Sequence, residues 1–176
     1  LPPRLVAEAV ERALAEDIGR GDVTTDTLID ADARSSVGLV AREAGVVAGL
    51  DLAEAAFRAL DSDVRFERAV ADGGKLAART AIARVAGRTR ALLSAERVAL
   101  NFLTHLSGIA TLTRRYVDAA AGTKARIVDT RKTLPGLRVL EKYAVRAGGV
   151  VNHRFGLHDA VMIKDNHLVG AGGVAA

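Results

Sequence analysis

Apolar positions recur along the chain with two periods, and the change between them marks its organisation. After Pro2-Pro3, residues Leu5, Val6, Ala9, Val10, Ala13 and Leu14 form one stripe at helical spacing, which predicts a helix ending near Asp17. The polar stretch "GRGDVTTDTLID", punctuated by Gly19 and Gly21, is expected to be a loop. "SSVGLVAREAGVVAGL" alternates and carries valines, so it predicts one or two strands joined at Glu43 to Gly45. "DLAEAAFRAL" predicts a short helix with Asp51 as N-cap. "DVRFERAV" and "AIARVAG" predict two further strands, linked through the tight connection Asp72 to Lys75. Ser94 is the expected opening of a long helical region. Val98, Phe102, Leu106 and Ile109 make its apolar face, and Arg97, Asn101, Thr104 and Gly108 lie on another. Gly108 is the expected break between two helices, the second running to about Ala121.

After Gly122 the rhythm becomes strand ("ARIVDT"), helix ("LRVLEKYAVRAG"), loop ("VVNHRFGLHD") and strand ("AVMIKDN"). Such alternation implies a βαβ unit and a parallel sheet. The chain therefore divides into an N-terminal α+β domain with its linking helix, residues 1–107, and the start of an α/β domain, residues 108–176. One βαβ unit cannot bury both faces of a parallel sheet, and an eight-stranded barrel takes roughly 250 residues. The expectation is a fragment of a longer protein, the alternative being a sheet completed by another chain.

Composition narrows the chemistry. Apolar residues make up 49% of the 176, enough for a real core. There is no Cys, which excludes disulfides, thiolate metal sites and thiol nucleophiles; a cytoplasmic protein fits that usage. No apolar run reaches the roughly 18 to 20 residues of a membrane span, and the acidic first helix is unlike the apolar segment of a signal peptide. The net charge of +4 is mildly basic, but aromatics at 3% offer no stacking platform for nucleic acid.

Charge matters most in one place. Between Arg126 and His167 lie eight Lys/Arg, four Asp/Glu and three of the four histidines. Thr130, Arg131 and Lys132 follow the first predicted strand, Lys164 follows the second, and His153-Arg154 lie in the loop between. Binding faces of open α/β sheets and barrels form at the C-terminal ends of strands. Arg131, Lys132, His153, Arg154 and Lys164 are therefore expected to converge on one cationic pocket suited to a ligand with several negative charges. Arg138, Lys142 and Arg146, at i, i+4 and i+8, read as an exposed helix stripe. His105 reads as structural, and His158 beside Asp159 as a cap or a core hydrogen bond. Metal binding by His153, His158 and His167 is disfavoured by their spacing.

The stretches "DTRKTLPGLR", "LEKYAV", "NHRFGL" and "MIKDNH" resemble the signature of the quinolinate phosphoribosyltransferase family. "AEDIGRGDVTTD" is similar to that family's N-terminal loop, and "ERVALNFLTHLSGIAT" to its domain-joining helices. The resemblance implies an α+β N-terminal sandwich followed by an incomplete α/β (TIM-like) barrel, truncated here. It implies a Mg²⁺-assisted reaction of quinolinate with phosphoribosyl pyrophosphate in NAD biosynthesis, giving nicotinate mononucleotide, pyrophosphate and carbon dioxide. By resemblance, Arg131, His153, Arg154 and Lys164 hold the quinolinate carboxylates. Arg97 does so from the neighbouring subunit of a homodimer. Lys132 binds the phosphoribosyl donor and steadies the departing pyrophosphate, and Thr130 sits at the pocket edge. The family's acidic magnesium residues and glycine-rich 5-phosphate loops are expected beyond Ala176; Asp129, Glu141 and Asp165 are not their counterparts. Two other classes compete: a paralogue with altered substrate, such as the molybdenum-associated relative, and a non-enzymatic anion- or nucleic-acid-binding module. The full set of cations argues against the first, and the low aromatic content against the second.

Overall fold

The computed structural model describes residues 1–174. Ala175 and Ala176, the end of the expected α/β unit, lie outside the described residues. Helix α1 spans Pro3–Ile18, with proline in the first turn, where its missing N–H costs nothing. Val6, Val10 and Leu14 are its buried stripe, and Gly19, at φ 53°, ends it. Part of the expected loop is helical. Helix α2, Val23–Leu28, is capped by Asp22, whose side chain accepts the Thr25 N–H. The same carboxylate accepts the Ser94 hydroxyl at 2.9 Å, and these bonds hold Asp22 below the usual carboxylate range. The cap signal stood in the sequence, but six residues are too few for a visible apolar stripe.

Strands β1 (Arg34–Val40), β3 (Arg65–Arg68) and β5 (Ala81–Arg88) form an antiparallel sheet in the order β1-β5-β3. Strands β2 (Gly45–Val46) and β4 (Lys75–Leu76) pair separately. Leu39, Ala83 and Val85 are buried on the sheet, while Arg34, Arg84 and Arg88 are exposed. Helix α3, Leu50–Leu60, lies in the core with Leu50, Leu52, Ala53, Ala56 and Phe57 buried. Its N-cap is Gly49 in the left-handed region, φ 103°, and not Asp51. Glycine has no capping side chain, so a distant one substitutes: the Asp72 carboxylate accepts the Gly49 and Leu50 N–H groups at 3.0 and 3.1 Å. Asp51 turns outward to pair with Arg68 at 2.9 Å.

Helix α4 runs unbroken from Thr89 to Ala119. It starts five residues before Ser94, directly off β5, and Gly108 does not break it. A mid-helix glycine costs only about 1 kcal/mol, and burial on either side outweighs that. Leu106 and Ala110 are fully buried. The hydroxyls of Ser107 and Thr111 accept the Ala48 and Val46 N–H groups at 3.0 and 2.8 Å, fastening the helix to the β2 segment.

Beyond α4, helix α5 forms at Arg138–Ala147 as the periodicity predicts. The two strands expected around it do not. Residues 125–130 make a single parallel bridge, Val128 to Val151, and the partner comes from "VVN", which reads as loop in the sequence. Residues 160–164 are unpaired, and Asp165–Ala171 form helix α6 instead. A parallel strand needs a ladder on at least one side. The tight exit of α5 through Gly148 and Gly149 (φ 101°) delivers Val151 beside Val128, and nothing among the described residues pairs with Val161 or Ile163, which are 92% and 68% exposed.

Candidate active site

The bridge at Val128 sets the site's geometry, because the residues just past it turn toward one cleft of about 490 Å³. Its lining includes Asp129, Thr130, Arg131, Lys132, His153, Arg154, Met162 and Lys164. Six of the seven sequence-predicted site residues are thus brought together. The seventh, Arg97, is exposed on α4 and is not part of the lining. Met162, missed in the sequence, supplies an apolar wall from the unpaired segment.

Each cation is held by local structure. The Thr130 hydroxyl accepts the Lys132 N–H at 3.1 Å, which turns the chain at Arg131. Arg154 donates to the Ala160 carbonyl at 3.1 Å, tying the two halves of the 153–164 stretch. His167 Nδ1 accepts the Lys164 N–H at 3.0 Å at the start of α6, so a neutral His167 carries its proton on Nε2. Asp159 accepts the Phe155 and Gly156 N–H groups, which hold it below the usual carboxylate range and close the loop beneath Arg154. Neither His158 expectation is met: the histidine is exposed and no helix begins there, and it is Asp159 that accepts the loop N–H groups. His105 meets Glu141 at 3.1 Å, and Glu141 also accepts the Leu134 N–H, anchoring the loop that follows Lys132 to α4 and α5.

The expected solvent-facing stripe on α5 is corrected at its centre. Lys142 is 2% exposed. Its ammonium lies 2.7 Å from Asp129 Oδ1 and donates to the His153 carbonyl at 3.1 Å. Asn152 Nδ2 reaches Asp129 Oδ2 at 2.7 Å, and the His153 N–H reaches Asp129 Oδ1 at 2.7 Å. This polar knot joins both bridge segments to α5. A buried lysine is rare without a partner. An aspartate placed directly after the buried strand residues was the signal that could have found it.

One atom in the cleft stands apart. Arg131 Nε is buried and has no hydrogen-bond partner among the described residues. Buried polar atoms are normally satisfied, and an orphaned guanidinium edge in a cationic cleft is suited to a carboxylate or phosphate fork.

The chain is similar to known proteins along nearly its whole length. Models of the quinolinate phosphoribosyl transferase N-terminal and C-terminal domains match residues 22–107 and 109–176. A probable nicotinate-nucleotide pyrophosphorylase (carboxylating) from Synechocystis is 51% identical over 175 residues, covering 99% of this chain and 59% of its own length. A nicotinate-nucleotide pyrophosphorylase (carboxylating) from Mycobacterium leprae is 47% identical over 173 residues, covering 95% and 60%. The crystal structure of NadC from Streptococcus pyogenes superposes with a TM-score of 0.94 at 44% identity, covering 99% of this chain and 62% of that one. The chain thus spans about three fifths of these relatives' length. With both domain models matched and the two-domain arrangement superposed, the chain belongs to the quinolinate phosphoribosyl transferase family.

Proposed function

We propose that the full-length protein joins quinolinate to phosphoribosyl pyrophosphate with loss of carbon dioxide, yielding nicotinate mononucleotide and pyrophosphate. The observation that carries this is the cleft itself: Arg131, Lys132, His153, Arg154 and Lys164 line one cavity, and Arg131 Nε has no partner among the described residues. A pyridine dicarboxylate and a donor with phosphate and diphosphate groups supply the anions such a cavity needs.

Arg131, His153, Arg154 and Lys164 hold the two carboxylates and fix the ring so that its nitrogen faces the donor. Lys132, on the other side of the turn, binds the donor. The bond from the ribose anomeric carbon to the diphosphate breaks, its electron pair leaves with pyrophosphate, and the ring nitrogen bonds to the same carbon. Lys132 stabilises the charge growing on the leaving group. The ring is then a cationic pyridinium. It stabilises the electron pair that the breaking ring–carboxylate bond leaves on the ring carbon, so carbon dioxide departs after transfer and a proton takes its place. Positioning of the two substrates supplies most of the acceleration.

Arg97 acts from a second copy of the chain in a homodimer, closing the cleft from outside, which suits its exposure on α4. An incomplete α/β barrel completes the parallel sheet begun at Val128 and Val151. The enzyme is cytoplasmic; no helix among the described residues is long and apolar enough to cross a membrane. Mg²⁺, if bound with the donor, would supply positive charge that eases departure of the pyrophosphate. Among the described residues no three His, Asp or Glu side chains are grouped to hold a metal.

Calorimetric titration of the full-length protein with quinolinate and with nicotinate tests the proposal. Quinolinate should bind at least about tenfold more tightly, because the second carboxylate adds a charge-assisted contact of roughly 1.5–3 kcal/mol. Equal affinities would overturn it.

A further inference from the structure

Asp129 lines the cationic cleft and is two residues from Arg131, whose Nε has no partner among the described residues. An aspartate so placed is the natural partner for that guanidinium, and such a pair would quench the cleft. It does not form. Both carboxylate oxygens of Asp129 are turned away and occupied: Oδ1 by Lys142 Nζ and the His153 N–H, Oδ2 by Asn152 Nδ2, each at 2.7 Å. Lys142 in turn is 2% exposed, contacts the His153 carbonyl, and sits 5.9 Å from the Phe155 ring centroid. Asn152 is braced by donating to the Lys142 carbonyl at 3.0 Å.

We infer that Lys142 is a positioning residue that sequesters the Asp129 carboxylate behind the cleft and so keeps Arg131 free for an anionic substrate. It rests on the substrate-binding role proposed for Arg131. Lys142 touches no substrate. Its charge cancels that of Asp129 locally, which leaves the surplus of Arg131, Lys132, Arg154 and Lys164 facing the cavity. Without the ammonium, the carboxylate loses its strongest partner, and the guanidinium two residues away, unpaired among the described residues, is the nearest replacement.

A purely structural brace and a charge sequestrator differ in one respect. Removing Asp129's charge as well should rescue the second and not the first. In the full-length enzyme, Lys142→Met should raise the quinolinate KM and Kd by about tenfold, and the double variant Lys142→Met/Asp129→Asn should recover to within about threefold of wild type. Thermal unfolding is followed in parallel. Should Lys142→Met not fold, Lys142→Gln, which keeps a donor but no charge, carries the same comparison. A double variant as weak as the single, or a KM loss that tracks the loss of stability, overturns the inference. If Arg131 serves an anion other than quinolinate, calorimetry with inorganic pyrophosphate makes the same comparison without assuming the acceptor. Rescue with pyrophosphate but no quinolinate binding by the wild type would uphold Lys142's role and reject the dicarboxylate assignment instead.

Discussion

The two halves of the molecule are held together by different physics. In the N-terminal half, α1, α3, α4 and the three-stranded sheet share one apolar cluster, in which Leu50, Leu52, Ala53, Ala56, Phe57 and Val85 are 0–1% exposed. Past Gly122, among the described residues, the buried apolar side chains are Leu140, Ala144 and Val150 alone. Leu140 and Ala144 tie α5 into the same apolar cluster; the remainder is ordered by hydrogen bonds and charge: the Asp129–Lys142–Asn152 knot, Glu141 on Leu134, and Asp159 on the 155–156 amides. Apolar burial is non-directional and tolerant of small shifts. A charged hydrogen-bonded knot fixes direction, which a site aiming several cations at one ligand requires. Stability and aim are thus separated along the chain.

The largest effect that could break this contrast is in the core. Phe57→Ala should cost about 3–5 kcal/mol in urea unfolding, with quinolinate affinity of the surviving folded enzyme unchanged. Arg131→Ala should do the reverse. Its quinolinate Kd should rise by about 10- to 100-fold, for a loss of roughly 1.5–3 kcal/mol, with donor binding and the unfolding midpoint little altered. Equal losses for both substrates would remove Arg131 from the carboxylate site. Lys132→Ala should mainly lower kcat, measured with both substrates saturating; a near-normal rate would remove Lys132 from the leaving-group role.

Two smaller effects sharpen the boundary between the halves. Asp61 is 1% exposed, and the Arg88 N–H, despite the opposing cost of burial, together with the Arg88 guanidinium and the Asp63 N–H, holds it below the usual carboxylate range. A depressed native pKa contributes stability above the unfolded value near 4 and loses it as pH falls through the native one. Asp61→Asn should therefore cost about 1–2 kcal/mol at pH 7 and flatten the acid limb of an unfolding curve measured from pH 6 down to 2. Tyr143 reaches across the boundary. Its hydroxyl donates to Asp72 at 2.5 Å, and burial with that bond pushes the phenol well above its ordinary value. A raised native pKa means the contribution is whole below the unfolded value near 10 and drains above it. Tyr143→Phe should cost about 1 kcal/mol and weaken the alkaline decline of stability.

Much of this was legible in the sequence, and the misses share a cause. Helices α1 and α3 each bury an apolar face, and α5 buries Leu140 and Ala144 one turn apart, so their apolar period carries the signal. Helix α4 is buried on both sides of Gly108 through Leu106 and Ala110, and that tertiary burial overrode a local break signal. The residues of "AVMI" have strand character, but pairing is a property of neighbours, and Val161 and Ile163 have none among the described residues. The cation cluster could be read because it lies beside the bridge ends and in a long motif. Lys142 could not, because a lysine at i+4 from one arginine and i−4 from another looks like a solvated stripe until its partner, thirteen residues back, is placed beneath it.

Helix α4 is the axle on which both halves turn. At about 1.5 Å per residue its 31 residues span about 46 Å. One stretch of it grips β2 through Ser107 and Thr111, while the Ala110 carbonyl and Thr113 lie where a side chain at Gly148, just past α5, would have to go. The two sets of contacts interleave within two turns, so the halves are phased like gears keyed to one shaft. A single residue inserted between Thr111 and Thr113 would rotate Thr113 by about 100° relative to Ala110, splitting the groove that seats Gly148 with every side chain of both halves unchanged. Spacing along this helix therefore encodes orientation between core and cleft, and length changes there are expected to be far less tolerated than substitutions on its exposed face.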